Sequence, residues 1–196
     1  MMFVAGTRTR WLLAGAGAAA VFVVVYVSFM GYAGDRVTAW LHPELDPGDT
    51  GYQILQSLYA IGSGGLFGLG YGKSRQKYLY LPFQYNDYIF AVICEELGLV
   101  GAMAIVALFA VTILRGYWIA LNARDRFSTV LAAGLVTLIA VQTILNLCVV
   151  TNLLPSTGIA LPFFSYGGTA LAVNLGEMGI VLGISRGRNR RKIQEA

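Results

Sequence analysis

Charge is what this sequence has least of. Of its 196 residues 12% are charged and 57% are hydrophobic, and the mean hydropathy is +0.65. A water-soluble domain carries about 25% charged residues. Too few charges are present to cover an aqueous surface, so the chain reads as an integral membrane protein. Histidine is nearly absent, and His42 alone cannot build a metal site. The two cysteines, Cys94 and Cys148, both lie in apolar runs. They read as buried free thiols, which excludes a disulfide framework or a cysteine-based metal centre. The net charge of +4 resides in loops and in the C-terminal tail. That pattern is membrane topology rather than nucleic-acid binding. No cleavable signal peptide is expected, because the first apolar run is longer than an h-region and lacks a small-residue cleavage site.

Long apolar runs are what the sequence has instead. Four reach the roughly 20 residues that a bilayer crossing needs: residues 11–33, 88–114 (extending at most to Leu121), 128–153 and 162–185. The expected fold class is an all-α integral membrane protein, one domain over residues 1–196. Arg8 and Arg10 precede the first run, Arg115, Arg124 and Arg126 lie between the second and third, and Arg186, Arg188, Arg190, Arg191 and Lys192 follow the fourth. The positive-inside rule puts these groups in the cytoplasm, with both termini, and leaves the loop of about 34–87 outside. Within that loop, GYQILQSLYAIGSGGLFGLGYG (51–72) is apolar but too short and interrupted to span. A re-entrant or interfacial helix of about 51–61 is expected. Pro155, Gly158 and Pro162 break the chain between the third and fourth spans.

Asp87 is the residue to which the chemistry points. It sits in YLPFQYNDYIFAVICEELG, a carboxylate at the mouth of an apolar helix and the end of a polar loop. A titratable group kept where membrane meets water is costly and usually functional. The bland alternative is an N-cap for the following helix. Capping would lower its pKa and burial against an apolar wall would raise it. Lys73, Arg75 and Lys77, with Gln76 between them, are read either as a solvated loop or as a cationic clamp for a pyrophosphate. GLGYGKS (68–74) is not a Walker A loop, since Phe67 stands where a glycine is required and no strand precedes it. Its glycines serve a tight loop or an anion nest of backbone amides. Glu95, Glu96 and Glu177 lie inside spans. For Glu96 and Glu177 packing polarity is favoured, with Gln142, Asn146, Asn152 and Asn174 as hydrogen-bonding partners. Gly98 and Gly101 suit close helix contact. In PSTGIALPFFSYGGTA (155–170), Ser165 is no nucleophile elbow, because Phe163 replaces the first glycine of Gly-x-Ser-x-Gly; a role in shaping a cavity mouth, with Tyr166, is expected.

Three blocks together carry a resemblance: GYQILQSLYAIGSGGLFGLGYGKSRQKYLYLP, NDYIFAVICEELGLVG and NLLPSTGIALPFFSYGGTALAVNLGEMGIVLGISR. In order and spacing they are similar to the SEDS family of cell-wall polymerases, on its division and sporulation side (FtsW and SpoVE, of clostridia-like Gram-positive bacteria) rather than the elongation side (RodA). The likeness runs from about residue 3 to 188. It implies the last four of ten transmembrane helices, so that a fragment, a split gene or a truncated product is expected. It implies a glycosyltransferase that polymerises lipid II at the outer membrane face, with Asp87 as the essential aspartate; Lys73, Arg75, Gln76, Lys77, Ser165 and Tyr166 are read beside it as candidate substrate contacts. It implies a class B penicillin-binding protein and other divisome proteins as partners, no organic cofactor, and room for a divalent cation (Mg2+ or Mn2+) whose ligands the sequence does not assign. The rival readings are a flippase for lipid-linked precursors gated by Glu96 or Glu177, and a non-catalytic scaffold. Two features depart from the family pattern: Phe83 stands where a glutamate is usual, and Asn86 and Tyr88 replace Thr and Phe.

Overall fold

A computed structural model describes residues 9–29, 37–45, 50–74 and 86–194. Five main helices are present: α1 (Thr9–Phe29), α2 (Thr50–Ser63), α3 (Ile89–Leu121), α4 (Arg126–Val150) and α5 (Gly168–Gln194), with a short 3-10 turn at Pro43–Leu45. The described residues contain no strand. Among the described residues three helices are long and apolar enough to cross a membrane: Ile89–Leu121, Arg126–Val150 and Gly168–Gly187. The first expected span coincides with α1 as far as Phe29, and its remaining four residues lie outside the described ones. Along the outer faces of α3, α4 and α5, residues such as Leu108, Val111, Leu114, Ile144 and Leu182 are exposed. Such a surface suits lipid and is rarely shown to water.

Local chemistry sets the helix ends. Between α3 and α4 the chain turns within four residues, and Asp125 caps α4 by accepting the Ser128 N–H at 2.9 Å and the Ser128 hydroxyl at 2.8 Å. Those two hydrogen bonds hold the Asp125 carboxyl below its ordinary pKa. At its other end α4 stops at Val150, short of the expected residue 153. Asn152 adopts a left-handed φ of 58°, and the Leu153 N–H reaches back to the Cys148 carbonyl at 2.8 Å, an asparagine variant of the usual glycine stop. α5 begins at Gly168, six residues later than expected. Pro162 and Phe163, the latter at φ 66°, prevent helix before that point. At the far end α5 continues to Gln194, so the helix runs on past the expected end of the span at residue 185.

α3 is not continuous. Gly98 has φ 67° and ψ −169°, a region that essentially only glycine occupies. In an unbroken helix the Leu99 and Val100 amides would bond the Glu95 and Glu96 carbonyls. Here the loop after α2 enters the gap and takes both pairs. Leu69 and Gly70 donate to the Glu95 and Glu96 carbonyls at 2.9 and 3.0 Å, while Leu99 and Val100 donate to the Gly65 and Leu66 carbonyls at 2.9 and 3.2 Å. Gly64 and Gly68 lie so close to the carbonyls of Cys94 and Glu96 that a Cβ on either would collide with them.

This contact decides between the two expected forms of the 51–61 segment. Ser57 donates to the Val150 carbonyl at 2.9 Å, Ala60 shares a buried cluster with Tyr88, Ala91 and Cys94, and residues 65–70 bond at the level of Gly98. α2 therefore runs beside the first half of α3 and the chain turns back about 14 Å in from Ile89, at 1.5 Å per residue. It is re-entrant rather than interfacial. Non-helical backbone at such depth is tolerated where protein satisfies every polar group.

α3 and α4 cross closely where Gly116 meets Val136: a Cβ there would lie 2.6 Å from Val136 Cγ2. Near that end Ala120, Ala132 and Val181 form a second buried cluster joining α5. The α3–α4 turn and the C-terminal half of α5 thus share one end of the bundle. Arg115, Arg124, Arg126 and Arg186 are at that end, and Asp87 is at the other.

Candidate active site

Asp87 lies in a turn over residues 86–88, immediately before α3. It is not the helix cap. Tyr88 occupies that position and makes no side-chain capping bond, so the expected capping role of Asp87 falls. Its carboxyl is half-buried and desolvation raises its pKa above the ordinary 3.8.

The turn is held from two sides. Asn146, on α4 and 1% exposed, donates from Nδ2 to the Asp87 carbonyl and to the Ile159 carbonyl, each at 2.7 Å. Ser165 accepts the Leu161 N–H at 2.7 Å and donates to the Asn86 carbonyl at 2.5 Å. Tyr88 reaches Ser156 at a long 3.4 Å. Gly158 has φ +68°, and a Cβ on it would sit 3.6 Å from Asp87 Oδ2. The turn of residues 151–167 therefore closes over the Asp87 carboxylate without filling it. Beside it opens a pocket of about 470 Å3 lined by Ile89, Phe163, Phe164, Ser165, Tyr166, Gly167, Gly168 and Leu171. Its wall is largely apolar, with the exposed Tyr166 at the rim.

The other expected site residues fall in different places. Ser165 and Tyr166 are brought to Asp87, Ser165 as a tie between two turns. Lys73 is exposed, and its neighbour Ser74 donates to Glu95 Oε2 at 2.5 Å. That level is about 12 Å along α3 from Asp87, at 1.5 Å per residue. The amides of Gly68, Leu69, Gly70 and Lys73 all donate to backbone carbonyls, so they form no anion nest. Arg75, Gln76, Lys77 and Phe83 lie outside the described residues. Glu95, 1% exposed, accepts a hydrogen bond from Ser74. Glu96 Oε1 and Glu177 Oε2 are buried without a hydrogen-bond partner, so the expected asparagine partners do not serve them. Asn146 spends its amide on the Asp87 turn, Asn174 is buried, and Gln142 is half-buried. Cys94 and Cys148 are free thiols.

No group of three or more histidine, cysteine or acidic side chains comes together among the described residues. Among the described residues a divalent cation would find one carboxylate at the site, that of Asp87. Sequence reasoning missed Asn146 as a part of the site and missed Asp125 altogether. The first carried a signal, an amide near the end of an apolar run facing a proline-bounded turn.

A helical membrane protein with a re-entrant loop and one carboxylate held between two turns is a description of a class. The comparisons place the chain within it. A family model described as a cell cycle protein, covering FtsW, RodA and SpoVE, matches residues 1–190. The chain belongs to this FtsW/RodA/SpoVE (SEDS) family. It is 46% identical over 187 residues to stage V sporulation protein E of Bacillus subtilis, covering 95% of this chain and 51% of that protein. It is 45% identical to a probable peptidoglycan glycosyltransferase FtsW of Trichlorobacter lovleyi, over 95% of this chain and 49% of that one. A solved chain from a peptidoglycan synthase complex superposes with a TM-score of 0.77 at 31% identity, covering 95% of this chain and 52% of its own. The chain spans about half the length of the curated relatives it matches.

Proposed function

We propose that this chain carries the catalytic carboxylate of a peptidoglycan glycosyltransferase that polymerises lipid II, with Asp87 as general base, in division or sporulation. The single observation behind this reading is Asp87 itself: a half-buried carboxylate, free of capping duty, with Gly158 leaving space at Oδ2. In the reaction a sugar hydroxyl of one chain attacks the anomeric carbon of another. Asp87 accepts the hydroxyl proton as the new C–O bond forms, and the bond to the lipid pyrophosphate breaks. The apolar pocket beside Ile89 accommodates lipid, and Arg75 and Lys77 supply cationic charge to the leaving pyrophosphate. The basic end of the bundle lies opposite Asp87, so the positive-inside rule puts Asp87 on the outer face and the α3–α4 turn in the cytoplasm. A class B penicillin-binding protein is the expected partner.

The test is polymerisation of lipid II in liposomes, by this chain, by this chain with the N-terminal half of a longer relative and a class B penicillin-binding protein, and by Asp87→Ala in each. Glycan strands that vanish with Asp87→Ala support the polymerase. Strands that persist in Asp87→Ala refute the assignment, and lipid II moving between leaflets in that variant would favour a flippase.

A pH profile supplies a second check. Because burial raises the Asp87 pKa, the base form appears later than for an exposed aspartate. The acid limb of kcat is expected to lie above pH 3.8, with the rate rising as pH rises through that limb. A limb at or below the ordinary aspartate value would contradict the buried site.

A further inference from the structure

The side-chain amide of Asn146 has three hydrogen-bonding groups, two N–H donors and an oxygen with two acceptor lone pairs, and the fold uses only the donors. Both N–H donors are spent on carbonyls, one on Asp87 itself and one on Ile159, at 2.7 Å each. These two carbonyls belong to segments 72 residues apart (159 − 87) that form the two walls of the site. The third, Oδ1, is buried without a hydrogen-bond partner, in a side chain 1% exposed. A buried acceptor left open is costly, so an apolar residue at this α4 position would avoid that cost but lose both ties. α4 carries no charged residue after Arg126 at its far end, and the described turn that Asn146 ties carries the titratable groups Asp87 and Tyr88.

We propose that Asn146 is a positioning residue for Asp87: its two donors tie the Asp87 carbonyl to the Ile159 carbonyl and so fix the two turns between which the carboxylate stands. This deepens the glycosyltransferase reading, since a proton acceptor works only when held within hydrogen-bond reach of the hydroxyl it serves. The geometry itself does not depend on that reading. Ser165 acts on the neighbouring Asn86 carbonyl and cannot replace Asn146, because its own contacts join Asn86 to Leu161 and leave Ile159 untouched.

The test needs no turnover. N,N′-dicyclohexylcarbodiimide modifies protonated carboxyls at apolar sites, so the pH at which Asp87 labelling is half-complete, read by peptide mass spectrometry in liposomes, reports its proton. Asn146→Asp keeps shape and volume, removes the amide donors and adds a like charge. It is expected to move the Asp87 midpoint up by about one unit or more. Asn146→Ala opens the turn to water and is expected to move it down toward 3.8. Opposite shifts at Asp87, with Glu177 labelling unchanged, support the assignment. An unchanged Asp87 midpoint in both variants, or equal shifts at Asp87 and Glu177, would overturn it. Where polymerisation is reconstituted, Asn146→Ala should lower kcat by about 10–100-fold with KM for lipid II within a few-fold. A change confined to KM would also overturn it. A failure of polymerisation in the unmodified protein would count against the proposed function while leaving the labelling result intact.

Discussion

Asp87→Asn is expected to cut lipid II polymerisation by about 10²–10⁴-fold, the usual contribution of a general base, while lipid II binding stays within a few-fold. The amide is isosteric, so the turn over residues 86–88 and the Asn146 and Ser165 ties, which hold backbone carbonyls, survive the change. What is lost is the acceptor for the hydroxyl proton. The same variant is expected to be more stable, not less. Burial raises the folded-state pKa of Asp87 above 3.8, so ionisation at neutral pH works against the fold. The stability contribution of this group is fully present below pH 3.8 and is lost as pH rises through the folded pKa. In Asp87→Asn that segment of the pH dependence should disappear, and the apparent Tm at pH 7 should rise. Unimpaired polymerisation would remove Asp87 from the mechanism, and a large fall in Tm would show that the carboxylate is structural.

The largest effect on the fold is expected from the glycines of the interrupted helix. In Gly98→Ala the new Cβ would run into Leu66 and Gly68 backbone, at a φ and ψ that alanine does not adopt. In Gly68→Ala, at φ +76°, it would run into the Glu96 carbonyl. Neither neighbour is a side chain that can swing away. Each substitution is expected to cost on the order of 4 kcal/mol or more, combining backbone strain with a steric clash. Expulsion of the loop is the escape. It would let Leu99 and Val100 bond Glu95 and Glu96 as in a continuous helix, but would leave the amides of Leu69 and Gly70 without partners at membrane depth. The comparison is Gly62→Ala on α2, where a Cβ meets nothing within 4 Å. That change should be neutral or stabilising by up to about 1 kcal/mol, from helix propensity alone. Thermal unfolding in detergent, followed by size-exclusion chromatography, separates these outcomes. Equal behaviour of the three variants would mean that the loop does not sit in the helix break.

Spans α3, α4 and α5 were legible in the residues because the requirement is one of length and hydropathy, which are properties of consecutive positions. Asp87 was legible for a related reason, since a carboxylate at the end of an apolar run is conspicuous on cost alone. The re-entrant helix was legible as a choice between two forms. What the residues could not decide was how partners far apart in sequence meet. Gly98 read as a contact glycine, yet its role depends on a loop some 30 residues earlier that takes over the hydrogen bonds of α3. Asp87 carried an N-cap as its bland alternative, yet the turn places Tyr88 at the cap. Asn146 read as packing polarity for other spans, yet its amide belongs to the Asp87 turn, 59 residues away. Lys73 read as a solvated loop or as part of a cationic clamp, and only the fold sets it, exposed, next to Ser74 at the level of Glu95. By itself the sequence determined which segments enter the membrane and which carboxylate stands at its edge, because apolar transfer and charge desolvation act residue by residue. The tertiary structure alone decided which backbone groups exchange hydrogen bonds at Gly98 and which side chains hold Asp87, because in a medium without water each buried donor must find a partner wherever the fold brings one.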